Sequence, residues 1–285
     1  MKSRLAASFA ALVLVLAGCS SGATPVPTAA APTAAPTAAP ATIAPATAAP
    51  TSLTIYAAAS LKAALTQVKT RYEAARPGTT LTISTDSSTA LETKIEQGAP
   101  ADVFLSADTA NPQKLVDKSL AAGNLTKFAG NLLTVIVPTG NPAGIQTPAD
   151  LAKSDVKVIA AGDTVPITKY ANQLVANLAK QPGYPADFVS KYTANVVSKQ
   201  DNVAAVVTQI ELGEGDAGIV YVTDARTSTK VVTVAVPDSA NVPATYAGVV
   251  VKASANTAAA QAFLTWLAGP DGQAVLAAFG FLPAP

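Results

Sequence analysis

The chain has 285 residues, a formal net charge of +1, one cysteine and no histidine. Because it has no cluster of basic residues and few aromatics, we expect it not to bind nucleic acid. Without histidine the chain has no side chain of the commonest general-base type, and with a single cysteine it has few ligands for soft metals. No pair of carboxylates has a spacing suited to acid–base catalysis, so we predict that the protein is not an enzyme.

The first residues are typical of a secretory signal. Lys2 and Arg4 precede an apolar run over residues 5–16, which is too short to span a membrane. The run leads into Leu16-Ala17-Gly18-Cys19, which resembles the processing site of bacterial lipoproteins, whose cysteine receives lipid. We therefore predict a signal peptide over residues 1–18, lipidation of Cys19 and attachment to the outer face of the cell membrane. The alternative is a plain signal peptide followed by an incidental thiol.

Residues 19–51 after the signal are almost only alanine, proline and threonine. Such a segment buries too little apolar surface to offset its ordering entropy, so we predict an extended, disordered tether. In a polyproline conformation about 32 residues would reach on the order of 100 Å. Since no later run of ~20 apolar residues occurs, we predict no membrane-spanning segment.

The stretch 53–107 predicts alternating strands and helices. Apolar runs at 53–59, 81–84 and 103–105 are typical of strands, and apolar residues at helical spacing lie between them. Ser60 and Ser88 stand at the two strand-to-helix junctions. In such an alternation the strands are parallel and both junctions lie at one edge of the sheet. We expect each serine to cap its helix and the two helix N-termini to form an anion site without a charged side chain.

The rest of the chain continues this alternation. Further strands are predicted at 132–137, 156–160, 196–197, 217–221, 231–236 and 248–251. Further helices are predicted at 111–120, 147–151 and 258–267, after the loop 162–166, from Val203 to near Gly213, and from Asp271 to near Gly280. This order predicts an α/β protein with two lobes, the first comprising residues 52–129 with 236–285 and the second residues 130–235. A ligand cleft would lie between the lobes.

Several motifs taken together resemble the molybdate-binding proteins of bacterial ABC transporters. They are LTIYAAASL at 53–61, IEQGAPADVFLSAD at 95–108 and GIVYVTDA at 218–225, with Ser87-Ser88, the loop 162–170 and residues 201–203. The similarity follows the chain in order over residues 52–285. It implies the two-lobed type II periplasmic-binding-protein fold and a monomer without a cofactor. It also implies the capture of molybdate, or of tungstate, for delivery to a membrane permease.

The same resemblance implies which residues bind the oxyanion. Ser60 and Ser88 would donate hydrogen bonds through their hydroxyls, Ile167 and Val203 through their backbone N–H groups, and Tyr221 through its phenolic hydroxyl. Such donors can replace the water shell of a dianion without a formal opposite charge. Each hydrogen bond to an ionised partner contributes roughly 1.5–3 kcal/mol, so about five to seven of them support tight binding.

Each of these residues also has an ordinary structural explanation. The serines could be simple N-caps, Tyr221 a packed aromatic, and Ile167 and Val203 core residues.

Four charged residues near these motifs are interpreted as structural or solvated. A carboxylate at Asp86 would repel a dianion, so we expect it to face solvent or to cap a local turn. We expect Lys169 to be solvated and Asp102 and Asp108 to be turn- and loop-capping acids.

Other functions stay open at this point. A binding protein for another tetrahedral oxyanion, such as sulfate or phosphate, is the nearest alternative, because the same donors suit any such anion. A ferric-binding protein would need several convergent tyrosines or carboxylates. A purely structural surface lipoprotein would fit the tether but would leave the aligned junctions unexplained.

Overall fold

The computed structural model describes residues 50–285. The signal peptide predicted at 1–18, the lipidated Cys19 and the tether up to residue 49 lie outside the described residues. Thr51, which the sequence places in the tether, instead begins the first strand. Its backbone N–H donates to the Gly78 carbonyl at 2.8 Å, and the residue pairs with Thr79.

Two five-stranded sheets form the framework of the described chain. Their strands are β1 (Thr51–Ala58), β2 (Thr79–Asp86), β3 (Val103–Ser106), β4 (Thr126–Asn131), β5 (Leu133–Pro138), β6 (Val158–Ala161), β7 (Val196–Gln200), β8 (Ala217–Tyr221), β9 (Val231–Val234) and β10 (Ala244–Val250). The strand orders are β2-β1-β3-β10-β4 and β7-β6-β8-β5-β9. Both sheets are mixed, because β10 runs antiparallel to β3 and β4, and β5 runs antiparallel to β8 and β9.

Helices flank both sheets. They are α1 (Lys62–Ala75), α2 (Ser88–Glu96), α3 (Ala110–Asp117), α4 (Pro166–Leu178), α5 (Phe188–Ala194), α6 (Val203–Glu211), α7 (Val222–Arg226), α8 (Thr257–Ala268) and α9 (Pro270–Ala278), with 3-10 turns at Ala59–Leu61 and Pro148–Ala152. On the first sheet, Tyr72 of α1 makes edge-to-face contacts with Phe263 and Trp266 of α8, at 5.0 and 5.2 Å between ring centroids. The C-terminal helices therefore pack with the N-terminal half of the chain.

The parallel pairing predicted for the opening strands is confirmed, since β1 runs parallel to both β2 and β3. Three elements were not predicted, namely β4, α5 and α7. The β4 sequence TKFAGN contains glycine, asparagine and lysine, which have low strand propensity, and it forms the edge of its sheet beside β10. The two helices are short, and short helices depend on tertiary packing more than on their own sequence.

The chain passes from the first sheet to the second through a single residue, Leu132, between β4 and β5. The sequence places Gly130 and Asn131 in the second lobe, but both residues belong to β4 of the first sheet. The return connection spans residues 235–243. In it the Asn241 side chain accepts a hydrogen bond from the Leu133 N–H at 3.1 Å and donates to the Leu133 carbonyl at 2.9 Å. The two connections are therefore tied together side by side.

Asp102 and Asp108 have structural roles, as predicted. The Asp102 carboxylate accepts hydrogen bonds from the Thr54 N–H at 2.7 Å and from the Ser254 hydroxyl, and so joins β1 to the segment after β10. Asp108 accepts from the Ser106 hydroxyl at 2.8 Å and from the Asn111 N–H at 3.0 Å. Among the described residues, no helix is long and apolar enough to cross a membrane.

We expect Asp102→Ala to lower the free energy of unfolding by about 1–3 kcal/mol, because it leaves two partly buried donors without an acceptor. Urea denaturation followed by circular dichroism measures this change. The exposed Asp238 provides the control, and we expect Asp238→Ala to change the stability by less than about 0.5 kcal/mol. Equal stability of the two variants would contradict the structural role given to Asp102.

Candidate functional site

All five residues predicted to bind an anion line one small cavity between the two sheets. Ser60 and Ser88 come from the side of the first sheet, and Ile167, Val203 and Tyr221 from the side of the second. The cavity encloses about 210 Å³ of empty space, part of which is open to solvent. The cavity is thus small and suits a small ligand.

Neither serine caps its helix, so that expectation is wrong. Ser60 lies inside the 3-10 turn after β1, and Ser88 is the first residue of α2. The N-cap positions of the 3-10 turn and of α2 are Ala58 and Ser87, and neither makes a side-chain cap hydrogen bond. The Ser60 and Ser88 hydroxyls therefore have other partners.

The Ser88 hydroxyl is arranged as a donor toward the cavity. Its oxygen accepts a hydrogen bond from the Ala107 N–H at 3.0 Å, and the side chain is buried. A hydroxyl that accepts through its oxygen still has its own proton to donate. The fold thus fixes the Ser88 oxygen through its acceptor side, and the hydroxyl proton can still be donated.

The Tyr221 hydroxyl is buried and has no hydrogen-bond partner among the described residues. Tyr221 ends β8, lines the cavity and is 1% exposed. Leaving such a group unpaired costs about 1–3 kcal/mol, and native structures rarely do so without a reason. Burial raises the pKa of Tyr221 well above its ordinary value, so the hydroxyl keeps its proton and acts as a donor.

At Ile167 and Val203 the backbone N–H groups, and not the side chains, are the hydrogen-bond donors beside the cavity. Both side chains are buried, but Ile167 is the second residue of α4 and Val203 the first residue of α6. The first N–H groups of a helix have no acceptor within the helix, and they lie at the positive end of its dipole. The Asn202 side chain caps α6 by accepting from the Ala205 N–H at 3.0 Å, and so does not occupy the Val203 N–H.

Asp86 lines the edge of the cavity, but its oxygens are already engaged. One oxygen accepts from the Ser87 N–H at 2.8 Å and from the Asn202 amide at 3.3 Å, and the other from the Lys94 ammonium at 3.1 Å. Burial raises the pKa of Asp86, but these three donors outweigh burial and the net pKa is lowered. Asp86 therefore lies at the cavity and does not simply face solvent or cap a turn as expected, and its charge is balanced by Lys94. Lys169 is exposed and does not line the cavity.

Two hydrogen bonds join the two sides at the edge of the cavity. The Thr89 hydroxyl of α2 donates to the Thr164 carbonyl at 2.7 Å, and the Asn202 amide donates to Asp86. Sequence patterns do not predict these contacts, because the contacts depend on which residues face each other across the cleft. Of the described residues that line the cavity, none is lysine or arginine.

A larger cavity and the acidic side chains do not form a better site. A larger cavity, with about 1050 Å³ of empty space, lies between α4 and α5, but its lining comes from the second sheet and its helices alone and includes only Ile167 of the predicted residues. Within residues 50–285, no group of three or more His, Cys, Asp or Glu side chains could hold a metal ion. The small cavity between the sheets is therefore the candidate site.

A buried carboxyl group, Asp224, lies close behind the cavity in α7. Its carboxylate accepts a hydrogen bond from the Tyr221 N–H, and one of its oxygens has no partner among the described residues. Burial raises the pKa of Asp224 to about 7. The group is therefore partly protonated at neutral pH, which limits negative charge near the candidate site.

The known proteins that this chain resembles are solute-binding proteins. The family model for bacterial extracellular solute-binding proteins matches residues 53–282. A Mycobacterium tuberculosis protein named molybdate-binding protein ModA is 33% identical over 231 residues, which cover 81% of this chain and 84% of the relative. A Bacillus subtilis protein, provisionally named an ABC transporter substrate-binding lipoprotein, is 31% identical over 233 residues, covering 81% of this chain and 86% of the relative.

Two solved structures show the fold. The Azotobacter vinelandii periplasmic molybdate-binding protein has a TM-score of 0.69 at 24% identity and covers 82% of this chain and 100% of its own. The sulfate-binding protein SubI from Mycobacterium tuberculosis has a TM-score of 0.74 at 23% identity and covers 82% of this chain and 87% of its own. The α/β, two-lobed periplasmic-binding-protein fold predicted from the sequence is thus confirmed.

We expect the stability of the protein to fall as pH rises from about 4 to about 7. The Asp224 pKa is about 7 in the folded state against an ordinary 3.8, so in this range the folded state holds a proton that the unfolded state has lost. At 1.36 kcal/mol per pKa unit the loss is at most roughly 4 kcal/mol. Thermal unfolding of Asp224→Asn at pH 5 and pH 8 tests this expectation.

The variant should lose this part of the pH dependence and be more stable than the wild type at pH 8. The exposed Asp117 provides the control, and Asp117→Asn should keep the wild-type slope. A slope in Asp224→Asn as steep as that of the wild type would show that another group titrates.

Proposed function

Because the chain belongs to the family of bacterial extracellular solute-binding proteins, we propose that it is the substrate-binding lipoprotein of an ABC transporter and captures molybdate for uptake. Tungstate, a dianion of the same shape, is the second ligand of the proposal. The protein would act by binding and release, without catalysis and without a resident cofactor. Relatives named as molybdate-binding proteins support this proposal, and the chemistry of the cavity supports it independently.

The observation that carries the proposal is the Tyr221 hydroxyl, which has no hydrogen-bond partner among residues 50–285 and lies in a cavity that the hydroxyls of Ser60, Ser87 and Ser88 also line. A tetrahedral oxyanion offers only acceptors, and the cavity offers donors from Ser60, Ser88 and Tyr221 together with the first N–H groups of α4 and α6. These donors come from both sides of the cleft, so a bound anion would join the two lobes.

Discrimination among oxyanions would depend on size and protonation. Sulfate has shorter bonds than molybdate, so some of the donors would lie out of its reach. Phosphate carries a proton at neutral pH and needs an acceptor, but both oxygens of Asp86, the carboxylate at the cavity edge, already have donors. A binding protein for sulfate or phosphate remains the second candidate, because the same donors suit any tetrahedral anion.

We further propose that the two lobes predicted from the sequence close around the ligand, with their boundary at Leu132 instead of residue 130, because Gly130 and Asn131 pair with β10 in the first sheet. The single residue between β4 and β5 and the nearby segment 235–243 would form the hinge. A closed monomer would then dock on the permease in the membrane. Lipid on Cys19 and a tether up to about residue 50 would keep it on the outer face of the cell membrane after removal of residues 1–18.

We expect calorimetric titration of the purified full-length protein to show tight binding of molybdate and tungstate and weak or no binding of sulfate and phosphate. Ser88→Ala and Tyr221→Phe should each weaken molybdate binding by about 10- to 150-fold, which corresponds to one hydrogen bond of roughly 1.5–3 kcal/mol to an ionised ligand. Tyr221→Phe should also stabilise the ligand-free protein by about 1 kcal/mol, because it removes a buried polar group without a partner.

Ser190→Ala and Tyr192→Phe are the matched controls, since both residues lie outside the cavity. Both controls should bind molybdate like the wild type. Tight binding of sulfate or phosphate in place of molybdate would show that molybdate is not the ligand. Unchanged affinity in Ser88→Ala and Tyr221→Phe would show that the ligand does not bind in this cavity.

We expect Cys19→Ala to abolish incorporation of a labelled fatty acid and to move the protein from the membrane fraction to the soluble or secreted fraction. The reason is that Cys19 is the only thiol in the chain, and the acyl chains supply about 0.8 kcal/mol of membrane affinity per buried CH₂. Ser20→Ala serves as the control and should keep the label. A wild-type chain that takes up no label would support the plain signal peptide instead.

A further inference from the structure

Behind the cavity, Ser60 is linked to two buried residues that have no ligand role in the proposed function. The Ser60 hydroxyl lies 2.9 Å from the hydroxyl of Tyr246 in β10. The Asn131 amide nitrogen, at the end of β4, lies 3.3 Å from the same Tyr246 hydroxyl and 2.8 Å from the Thr223 hydroxyl. Tyr246 and Asn131 are both fully buried.

The local backbone holds this network in place. The pairing of β10 with β4 shifts register between Tyr246 and Ala247, and such a bulge re-aims the side chains beside it. The Tyr246 ring also makes edge-to-face contacts with Phe281 at 5.4 Å and Tyr221 at 5.6 Å between centroids. The Tyr246 hydroxyl is therefore held at a fixed point.

The orientation of the Asn131 amide follows from its backbone neighbour. Its oxygen accepts a hydrogen bond from the Leu132 N–H at 3.0 Å, so its nitrogen must face Tyr246 and Thr223. An amide nitrogen can only donate, and the Tyr246 oxygen must therefore accept. In the hydrogen bond between these two residues, Asn131 is therefore the donor and Tyr246 the acceptor.

The donor in the hydrogen bond between Tyr246 and Ser60 follows from this assignment. Among the described residues, the Ser60 oxygen is the only acceptor in contact with the Tyr246 hydroxyl, because its other neighbour is the donating Asn131. Burial raises the pKa of Tyr246 well above its ordinary value, so the phenol keeps its proton. The Tyr246 hydroxyl therefore donates to Ser60, and the Ser60 proton is left for the cavity.

We propose that Tyr246, held by Asn131, is a positioning residue that occupies the Ser60 oxygen and directs the Ser60 proton at the bound oxyanion. This inference rests on the proposed function and deepens it. Without Tyr246 the Ser60 hydroxyl could rotate and donate to another acceptor, and it would no longer be preorganised for the anion. Because Asn131 adjoins the Leu132 connection and also contacts Thr223 of α7, the orientation of Ser60 depends on how the two lobes are placed.

A double-mutant cycle with molybdate as the titrant tests the proposal on the full-length protein. Tyr246→Phe keeps the ring and removes only the hydroxyl, and we expect it to weaken molybdate binding about 10-fold when Ser60 is present. In the Ser60→Ala background the same change should have no further effect, because Tyr246 acts through Ser60. A purely structural role would lower the affinity equally in both backgrounds.

Tyr72→Phe is the matched control, because Tyr72 is a buried tyrosine of α1 that does not line the cavity. The Tyr72→Phe variant should bind molybdate with the affinity of the wild type. Thermal unfolding of each variant shows whether it is folded. If Tyr246→Phe does not fold, Asn131→Ser replaces it in the cycle and should show the same dependence on Ser60.

Unchanged affinity in Tyr246→Phe, or an equal loss in both backgrounds, would overturn the positioning role and leave the proposed function intact. A wild-type protein that binds none of molybdate, tungstate, sulfate and phosphate would overturn the proposed function, and the inference with it. The wild-type titration therefore separates the two failures.

Discussion

The candidate site depends on how its cavity presents hydrogen-bond donors without a cationic side chain. A hydroxyl is both donor and acceptor, so it serves an anion reliably only when something else occupies its oxygen. The Ala107 N–H does this for Ser88 at 3.0 Å. The Tyr221 hydroxyl has no hydrogen-bond partner within the part of the chain that the structure describes. At these two residues the surrounding fold leaves protons rather than lone pairs for the empty space, which is the asymmetry that the proposed anion would require.

Both sheets and their helices contribute hydrogen-bond donors to the cavity. Residues at the ends of β1 and β8 and at the starts of α2, α4 and α6 meet at one cavity, as expected where strands of α/β sheets end. The connection between the sheets is one residue long, and the Asn241 side chain ties it to the return segment. Such a narrow connection permits a change of angle between the lobes while each sheet keeps its own hydrogen bonds.

Charge near the cavity is kept low by pairing and by protonation. Asp86 lies at the edge of the cavity, where an unpaired carboxylate would oppose an anion, but Lys94 and two neutral donors hold its oxygens. Asp224 lies deeper, and burial raises its pKa to about 7, so that it carries only part of a charge at neutral pH. The charge of two acids beside the candidate site is thus limited for two different physical reasons.

By itself the sequence determined most of the order of strands and helices, the parallel opening strands and the α/β class, because apolar periodicity and local motifs are properties of neighbouring residues. Its resemblance to a known family pointed to five of the residues that line the cavity. It did not reveal β4, α5 or α7, whose sequences have weak intrinsic preferences, and it wrongly made Ser60 and Ser88 helix caps. Only the tertiary structure decided what those hydroxyls contact, since Ala107 and Tyr246 are 19 and 186 residues away along the chain. Hydrogen bonds between such distant residues depend on how sheets pack, and no local pattern records that.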